Sequence, residues 1–491
     1  MSEKIPLIPG NYMDGFIPMP APEGVIRNDT SSNTMLPPHK PVLCNGVLAD
    51  EKEDSWLEYV PEHLPAGKQP PLIISCHGGG ACADVQFEET SWWCIAEAEG
   101  AIAVFPNAGG ERRAWLSEDK MPKPGERPST LEIFTSSPDG RASAENHHIR
   151  FLCALIEEMK RKYDIDPGRV YMQGMSMGDI MTMMFSRVCG TLLAGADCTA
   201  GPSPEIALFD ADGNVRGNCG PVPMYQSRGE LDDIVAAENP RRAVTTRQDI
   251  NDTNRRFWLE VNGCKELPRL AIRGVNNFAF YSGEQANVVY RDVKHRSHGQ
   301  TIDDAQWAWH TLFKGTRRNP DGSLTSTDTA FSAVGDVGAV AAAEGCSFAY
   351  VNNCRVRMEA PAYFETLKRM NMAERKLEDY QPELFVPVTA LRAMFGAEVT
   401  LTQDGKGALI AAPEGTCEIA AESAACLRDD FVLAMFMPAR LHGGVLCVPL
   451  RWFAECIFNR HVTEYGGAMY ISDRHGEMTK DMSYLIRQIL A

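Results

Sequence analysis

With 491 residues the chain is too long for one compact domain, so two or three are expected; 44% apolar and 23% charged residues is soluble globular composition. A formal net charge of -17 argues against nucleic-acid and anionic-membrane partners. No run of 18 apolar residues occurs, so no membrane-spanning helix is expected.

Met1 to Phe16 lacks a positive segment followed by an apolar one and does not read as a signal peptide. On that reading the protein stays inside the cell, or its export signal lies outside this sequence. The 15 cysteines are odd in number and form no C-x-x-C pair; several, such as Cys76, Cys153 and Cys447, sit in apolar runs. They read as free buried thiols, with one or two disulfides left open for an exported form.

Residues 1–40, rich in Pro, Ser, Asn and Asp, read as an extended arm. From 41 to 315, short apolar runs alternate with helix-patterned stretches. Leu72–His77, Ala101–Asn107, Val170–Met175 and Val222–Gln226 read as strands buried on both faces. Phe151, Leu152, Leu155, Ile156 and Met159 form a helical stripe. The alternation predicts an α/β domain with a mostly parallel central sheet. Residues 316–340 read as a linker.

Residues 341–491 read as a separate α+β domain built on an internal repeat. Phe385-Val386-Pro387-Val388, a short helix and Ala397–Thr400 recur 62 positions later as Cys447-Val448-Pro449-Leu450, a short helix and His461–Thr463.

Chemistry concentrates in the first domain. Gly174-Met175-Ser176-Met177-Gly178 follows a strand and precedes the apolar stretch Ile180–Val188, which is the strand–turn–helix setting of a nucleophile elbow. The glycines serve a turn too tight for a Cβ, and the helix N-terminus favours developing negative charge. His77-Gly78-Gly79-Gly80 follows another strand, where backbone N–H groups can face an oxyanion; Gly79 and Met177 are the expected donors, and His77 itself reads as structural.

A serine nucleophile needs a histidine base and a carboxylate to orient it, in the chain order Ser, acid, His for this fold. Asp232 and Asp233 follow the strand ending at Gln226, with Asp232 favoured. His298, between Asn287–Val293 and the helix Asp303–Phe313, is favoured as the base, with His295 next and His310 packed within the helix. Trp92 and Trp115 are candidate substrate contacts in an aromatic cleft, against the plain alternative of core packing.

Around these residues, 70–315 resembles the polyhydroxybutyrate-depolymerase and feruloyl-esterase group of α/β hydrolases. The matching stretches are Ile73 to Gly78, Trp92 to Pro106, Tyr163 to Gly178, Trp258 to Cys264 and the His298 loop. The resemblance implies an α/β-hydrolase fold and secreted esterases acting on polyesters, feruloylated or acetylated polysaccharide, or short acyl esters. It carries the triad roles onto Ser176, Asp232 and His298. Gly79 stands where the group often has Cys, and Asp179 where a small residue is usual. Residues 341–475 resemble the copper-amine-oxidase N-terminal-like repeat module, on the Val386-Pro387 and Val448-Pro449 copies. That resemblance implies wall or surface attachment and brings no copper site.

The expected reaction is two-step acyl transfer on an ester substrate, possibly polymeric, without metal or organic cofactor. A serine peptidase of the same fold and a surface binding protein with an inactive hydrolase domain are the rival readings.

Overall fold

A computed structural model describes residues 23, 37–109, 113–116, 146–232, 246–327 and 335–491. Most of the arm 1–40, residues 328–334 and Asp233 lie outside them. No helix among the described residues is long and apolar enough to cross a membrane. The chain divides into two compact units: Met1–Lys265 with Phe280–Arg291 and His295–Val334, and Glu266–Ala279 with Asp292–Lys294 and Gly335–Ala491.

The large sheet holds β1 (Val42–Ala49), β2 (Lys52–Tyr59), β3 (Leu72–Cys76), β4 (Ile102–Pro106), β5 (Val170–Met175), β6 (Gly195–Thr199), β7 (Met224–Gly229), β8 (Arg269–Arg273), β9 (Asn276–Tyr281) and β10 (Val288–Val293). Their order is β1-β2-β4-β3-β5-β6-β7-β10-β9-β8. From β4 to β7 neighbours run parallel, with Ile74 opposite Val104 and Met172, and Met172 opposite Ala196. Every residue of β3, β4, β5, β6 and β7 is buried, which is why β3, β4 and β5 are nearly continuous apolar runs, while β6 and β7 bury polar side chains such as Asp197 and Arg228.

The parallel strands need crossovers, and helices lie in them: α1 (Ala83–Glu89) and α2 (Trp92–Glu99) between β3 and β4, α3 (His147–Tyr163) between β4 and β5, and α4 (Met177–Cys189) between β5 and β6; α5 (Arg247–Val261) follows β7 and α6 (Asp304–Thr311) follows β10. In α3 the expected stripe is buried, and the Asn146 side chain caps its start by accepting from the His148 N–H. Strand order, parallel core and the sharp β5-to-α4 turn make this an α/β-hydrolase fold.

Two differences from the expected strands have physical causes. The hairpin β1–β2 was not expected, because β1 is half exposed and β2 opens on Lys52-Glu53-Asp54. β7 begins at Met224 and runs to Gly229, past the apolar run, because polar Ser227 and Arg228 are buried with partners.

In the second unit, residues 335–491 form three antiparallel sheets, and the two repeat copies meet in one of them. Lys376–Pro387 pairs with Val445–Pro449 in the register Phe385 to Pro449, Val386 to Val448 and Pro387 to Cys447. Each copy runs from its Val-Pro strand into a helical turn and a further strand, Glu398–Leu401 in one and His461–Tyr465 in the other. Val386, Val388, Leu391, Val448, Leu450 and Phe453 share one core.

Candidate active site

The geometry begins with three glycines. A Cβ on Gly174 would stand 2.0 Å from the Gly178 carbonyl oxygen, and one on Gly178 would stand 2.2 Å from that of Cys76. A Cβ on Gly201, beyond β6, would stand 2.0 Å from the Ser176 carbonyl oxygen. Backbones therefore cross here at distances only glycine permits. Between them Ser176 takes φ 57, ψ -115, a conformation that costs a side-chain-bearing residue about 1–3 kcal/mol. The packed turn holds it there, at the N-terminus of α4.

Ser176 Oγ lies 2.9 Å from Nε2 of His298. The other ring nitrogen, Nδ1, lies 3.1 Å from both carboxylate oxygens of Asp232. A carboxylate only accepts, so Nδ1 carries the proton and Nε2 is left to accept from the serine hydroxyl. Asp232 is 3% exposed and His298 19%, so the carboxylate is shielded while the base is open to a reactant. Of the alternative histidines, His295 sits in a left-handed turn at φ 63, and His310 lies on the exposed face of α6 instead of packing.

The acid and base loops share a backbone bond, Leu231 N–H to Arg296 C=O at 2.8 Å. A Cβ on Gly229 would come within 2.5 Å of that carbonyl oxygen, so the loops approach closely. The base loop is held on both flanks. Two residues before His298, Arg296 bonds both oxygens of Asp304 at 2.9 Å and Ser227 Oγ at 2.8 Å. Two residues after it, Gln300 joins a buried network: Gln173 Nε2 donates to Gln300 Oε1 at 3.1 Å, and Gln300 Nε2 to Gln86 Oε1 at 3.1 Å. Ser75 Oγ donates to Gln173 Oε1 at 2.6 Å. Sequence reasoning missed these anchors. Their signal was slight: a single Ser and a single Gln inside otherwise apolar strands.

Asp179 also acts on the elbow. Its Oδ2 accepts from the Gly201 N–H at 2.7 Å and from Arg228 Nη1 at 2.9 Å. Arg228 Nη1 in turn lies 2.8 Å from the Cys198 carbonyl. Burial is complete and pushes the Asp179 carboxyl up to about 6, against the pull of Arg228. The charge beside the nucleophile is thus turned inward, tying α4 to the ends of β6 and β7.

The loop after β3 lies against the nucleophile. A Cβ on Gly78 would stand 3.6 Å from Ser176 Cβ, and one on Gly79 would stand 2.8 Å from Met177 Cγ. Met177 is the first residue of α4, so its N–H has no acceptor within the helix. His77 Nδ1 is 2.7 Å from the Gly78 carbonyl oxygen, and its Nε2 accepts from the Ala108 N–H at 3.0 Å. Burial pushes His77 down to about 4, which keeps it neutral.

Trp92 and Trp115 require a correction. Both are 0% exposed, which leaves neither a face for a substrate. Trp92 stacks on Phe313 and donates from Nε1 to Gln173 at 3.2 Å; Trp115 donates to the His77 carbonyl at 2.8 Å. They are large core residues whose only polar atom is internally satisfied.

Fold and site together define a serine-hydrolase-like α/β hydrolase. By sequence the chain is 27% identical over 178 residues to the bifunctional acetylxylan esterase/xylanase of Neocallimastix patriciarum, covering 36% of this chain and 21% of that protein. It is 26% identical over 257 residues to feruloyl esterase B of Piromyces equi, covering 51% and 43%. It is 26% identical over 151 residues to a poly(3-hydroxybutyrate) depolymerase of Ralstonia pickettii, covering 28% and 27%. The matches therefore span less than half the length of each relative. No protein-family profile matches the chain.

Proposed function

We propose that the first unit is a serine carboxylesterase. The observation that carries this reading is the chain of contacts from Ser176 Oγ through His298 to Asp232. His298 Nε2 takes the hydroxyl proton as Ser176 attacks the ester carbonyl carbon. The N–H groups of Gly79 and Met177 receive the oxyanion, a type of stabilisation whose loss costs about 3–4 kcal/mol per donor. The tetrahedral intermediate collapses, His298 protonates the departing alcohol, and the acyl group stays on Ser176. Water, deprotonated by His298, then releases the acid and restores the hydroxyl. Asp232 keeps the ring in the tautomer that can accept and stabilises the imidazolium that forms.

The relatives' names point to acyl esters on plant polysaccharide and to hydroxyalkanoate polyesters, and we propose esters of those classes as substrates. The test is hydrolysis of p-nitrophenyl acetate, butyrate and octanoate, methyl ferulate, acetylated xylan and a hydroxybutyrate oligomer, by wild type and Ser176→Ala. Turnover that disappears in the variant supports the reading, and the preferred ester sets the substrate. A wild type that turns over none of these, and whose Ser176 is not labelled by a fluorophosphonate, overturns it.

A further inference from the structure

We propose that the second unit carries a binding site for an alkylammonium ion, a cleft with the carboxylate of Glu383 at its floor and Tyr380, Phe436 and Met437 in its walls. The site is independent of the esterase reading above.

The cleft begins at an irregularity in a hairpin. Strands Tyr363–Asn371 and Lys376–Pro387 pair antiparallel, with Glu365 opposite Glu383, Leu367 opposite Gln381 and Lys368 opposite Asp379. Tyr380 falls between these pairs and has no residue opposite it, so it is the extra residue of a β-bulge. A bulge disrupts the ladder locally, bends its strand and re-aims a side chain. Beside it lies a cleft of about 250 Å³, lined by Leu367, Tyr380, Gln381, Glu383, Phe436 and Met437. Sites for drug-sized ligands run to about 300–1,000 Å³, so this one suits a small molecule or a single side chain.

The walls and the floor differ in kind. Tyr380 is 56% and Phe436 50% exposed, so both rings keep surface for a ligand. Glu383 is 3% exposed. Its Oε1 accepts from the Arg451 N–H at 3.2 Å. Its Oε2 has no hydrogen-bond donor among the described residues, because Arg451 Nε stands 3.8 Å away, too far to serve. An ionised carboxylate held out of water without donors is costly, and burial pushes this one up to about 7. A donor seated in the cleft would supply what Oε2 lacks.

Charge decides which donor fits. Arg451 serves two further carboxylates: its Nη2 lies 2.8 Å from Glu464 Oε2 and its Nη1 3.6 Å from Glu455 Oε1. Glu365, across the hairpin from Glu383, shares Arg440 with Glu422. Five carboxylates thus share two guanidiniums, and a neutral ligand would leave that surplus of negative charge in place. Lys368 and Arg369, the nearest cations along the hairpin, have their own acids, Asp379 at 3.8 Å and Glu378 at 3.9 Å. A protonated amine brings both the N–H and the charge. Aromatic faces draw cations as well, and the Arg369 guanidinium already lies 4.8 Å from the Tyr380 ring centroid. Leu367 and the soft thioether of Met437 suit the alkyl stem.

The experiment titrates the full chain, carrying carbon-13 at its methionine methyls, with n-butylamine and with 1-butanol at pH 8. Met437→Leu identifies the Met437 signal. That signal should shift with n-butylamine and saturate with a Kd of about 1 mM or tighter. The alcohol has the same stem without the charge and should bind about tenfold more weakly or worse. Glu383→Gln keeps the shape and an acceptor for the Arg451 N–H, and should weaken n-butylamine by about tenfold or more. Phe436→Ala, at an exposed position, should weaken it about threefold with an unchanged melting temperature. Nα-acetyl-lysine amide presents the same ammonium on a peptide. Binding like that of n-butylamine assigns the site to a lysine side chain, and binding of the free amine alone assigns it to a small amine; both support the proposal. No shift by about 10 mM n-butylamine overturns it. So does equal affinity for 1-butanol, or wild-type affinity in a folded Glu383→Gln. The comparison of amine with alcohol on wild type decides the matter even where a variant fails to fold.

Discussion

Gly178→Ala should disable the site without touching a reacting atom. The added Cβ would lie 2.2 Å from the Cys76 carbonyl oxygen and 2.7 Å from both the Cys76 carbonyl carbon and the His77 oxygen. An ordinary contact there begins near 3.4 Å, so β3 and the elbow must separate by the difference of 3.4 and 2.2 Å, or 1.2 Å. The obstructing atoms are backbone and cannot swing aside. Overpacking of this kind costs about 1–3 kcal/mol or somewhat more. The same movement draws the Gly78–Gly79 loop away from Ser176, and a displacement of about 1 Å is worth about 100-fold in rate. Thermal melts should therefore fall by about 2–4 °C for each kcal/mol lost, and kcat on p-nitrophenyl acetate should fall about 100-fold. A Gly178→Ala protein with wild-type melting temperature and kcat would show that the crossing has slack, and the reasoning would fail.

Other outcomes follow from the same contacts. Asp232→Asn should lower kcat about 10,000-fold with KM nearly unchanged, because the amide favours the wrong histidine tautomer. A loss of less than about tenfold in ester kinetics would point to another acid. Asp179→Ala strands a buried guanidinium and should cost about 3–5 kcal/mol in urea melts. The double variant Asp179→Leu/Arg228→Met should be markedly more stable than that single one; equal instability would sink the argument.

Two of the buried groups that make stability depend on pH act with opposite signs. Asp179, raised from 3.8 to about 6, is harder to ionise when folded, so its contribution falls as pH rises from about 4 to 6, by about 3 kcal/mol. His77, lowered from 6.5 to about 4, binds its proton first in the unfolded chain, so its contribution falls by about 3 kcal/mol as pH drops from 6.5 to about 4. Asp197 and Glu383 are also buried and raised, so the test is a difference: the stability of Asp179→Asn relative to wild type should fall by about 3 kcal/mol as pH drops from about 6 to 4. A relative stability that does not change with pH would refute the assignment.

Much of the first unit was legible because β3, β4 and β5 are apolar on both faces, and Val170–Met175 has the bounds its composition suggested. The elbow was legible because glycine pairs around a serine have a steric meaning. Ser176, Asp232 and His298, picked out by chain order and loop position, lie within hydrogen-bonding reach of one another. What escaped was polar and buried. Arg228 and Ser227 extend β7 only because Asp179 and Asp304 meet them, and Gln86, Gln173 and Gln300 find one another across the fold. Such pairings depend on tertiary neighbours and leave no periodicity along the chain. The tryptophans misled for the converse reason: an indole can line a cleft or fill a core, and Trp92 and Trp115 fill the core.

The pairing of Val386 with Val448 has a consequence of its own. Val386 faces its own counterpart Val448, while Phe385 faces the counterpart of Pro387 and Pro387 the counterpart of Phe385, namely Pro449 and Cys447. That is the self-complementary contact of a two-fold homodimer, here carried by one polypeptide. In a dimer of identical chains a substitution at such an interface strikes both sides at once. Joined in a single chain, the two sides are free to differ, and they do: Phe385 corresponds to Cys447, Val388 to Leu450 and Leu391 to Phe453. A large side chain gained in one half can be matched by a small one in the other, a route to repacking that a symmetric pair of chains does not have.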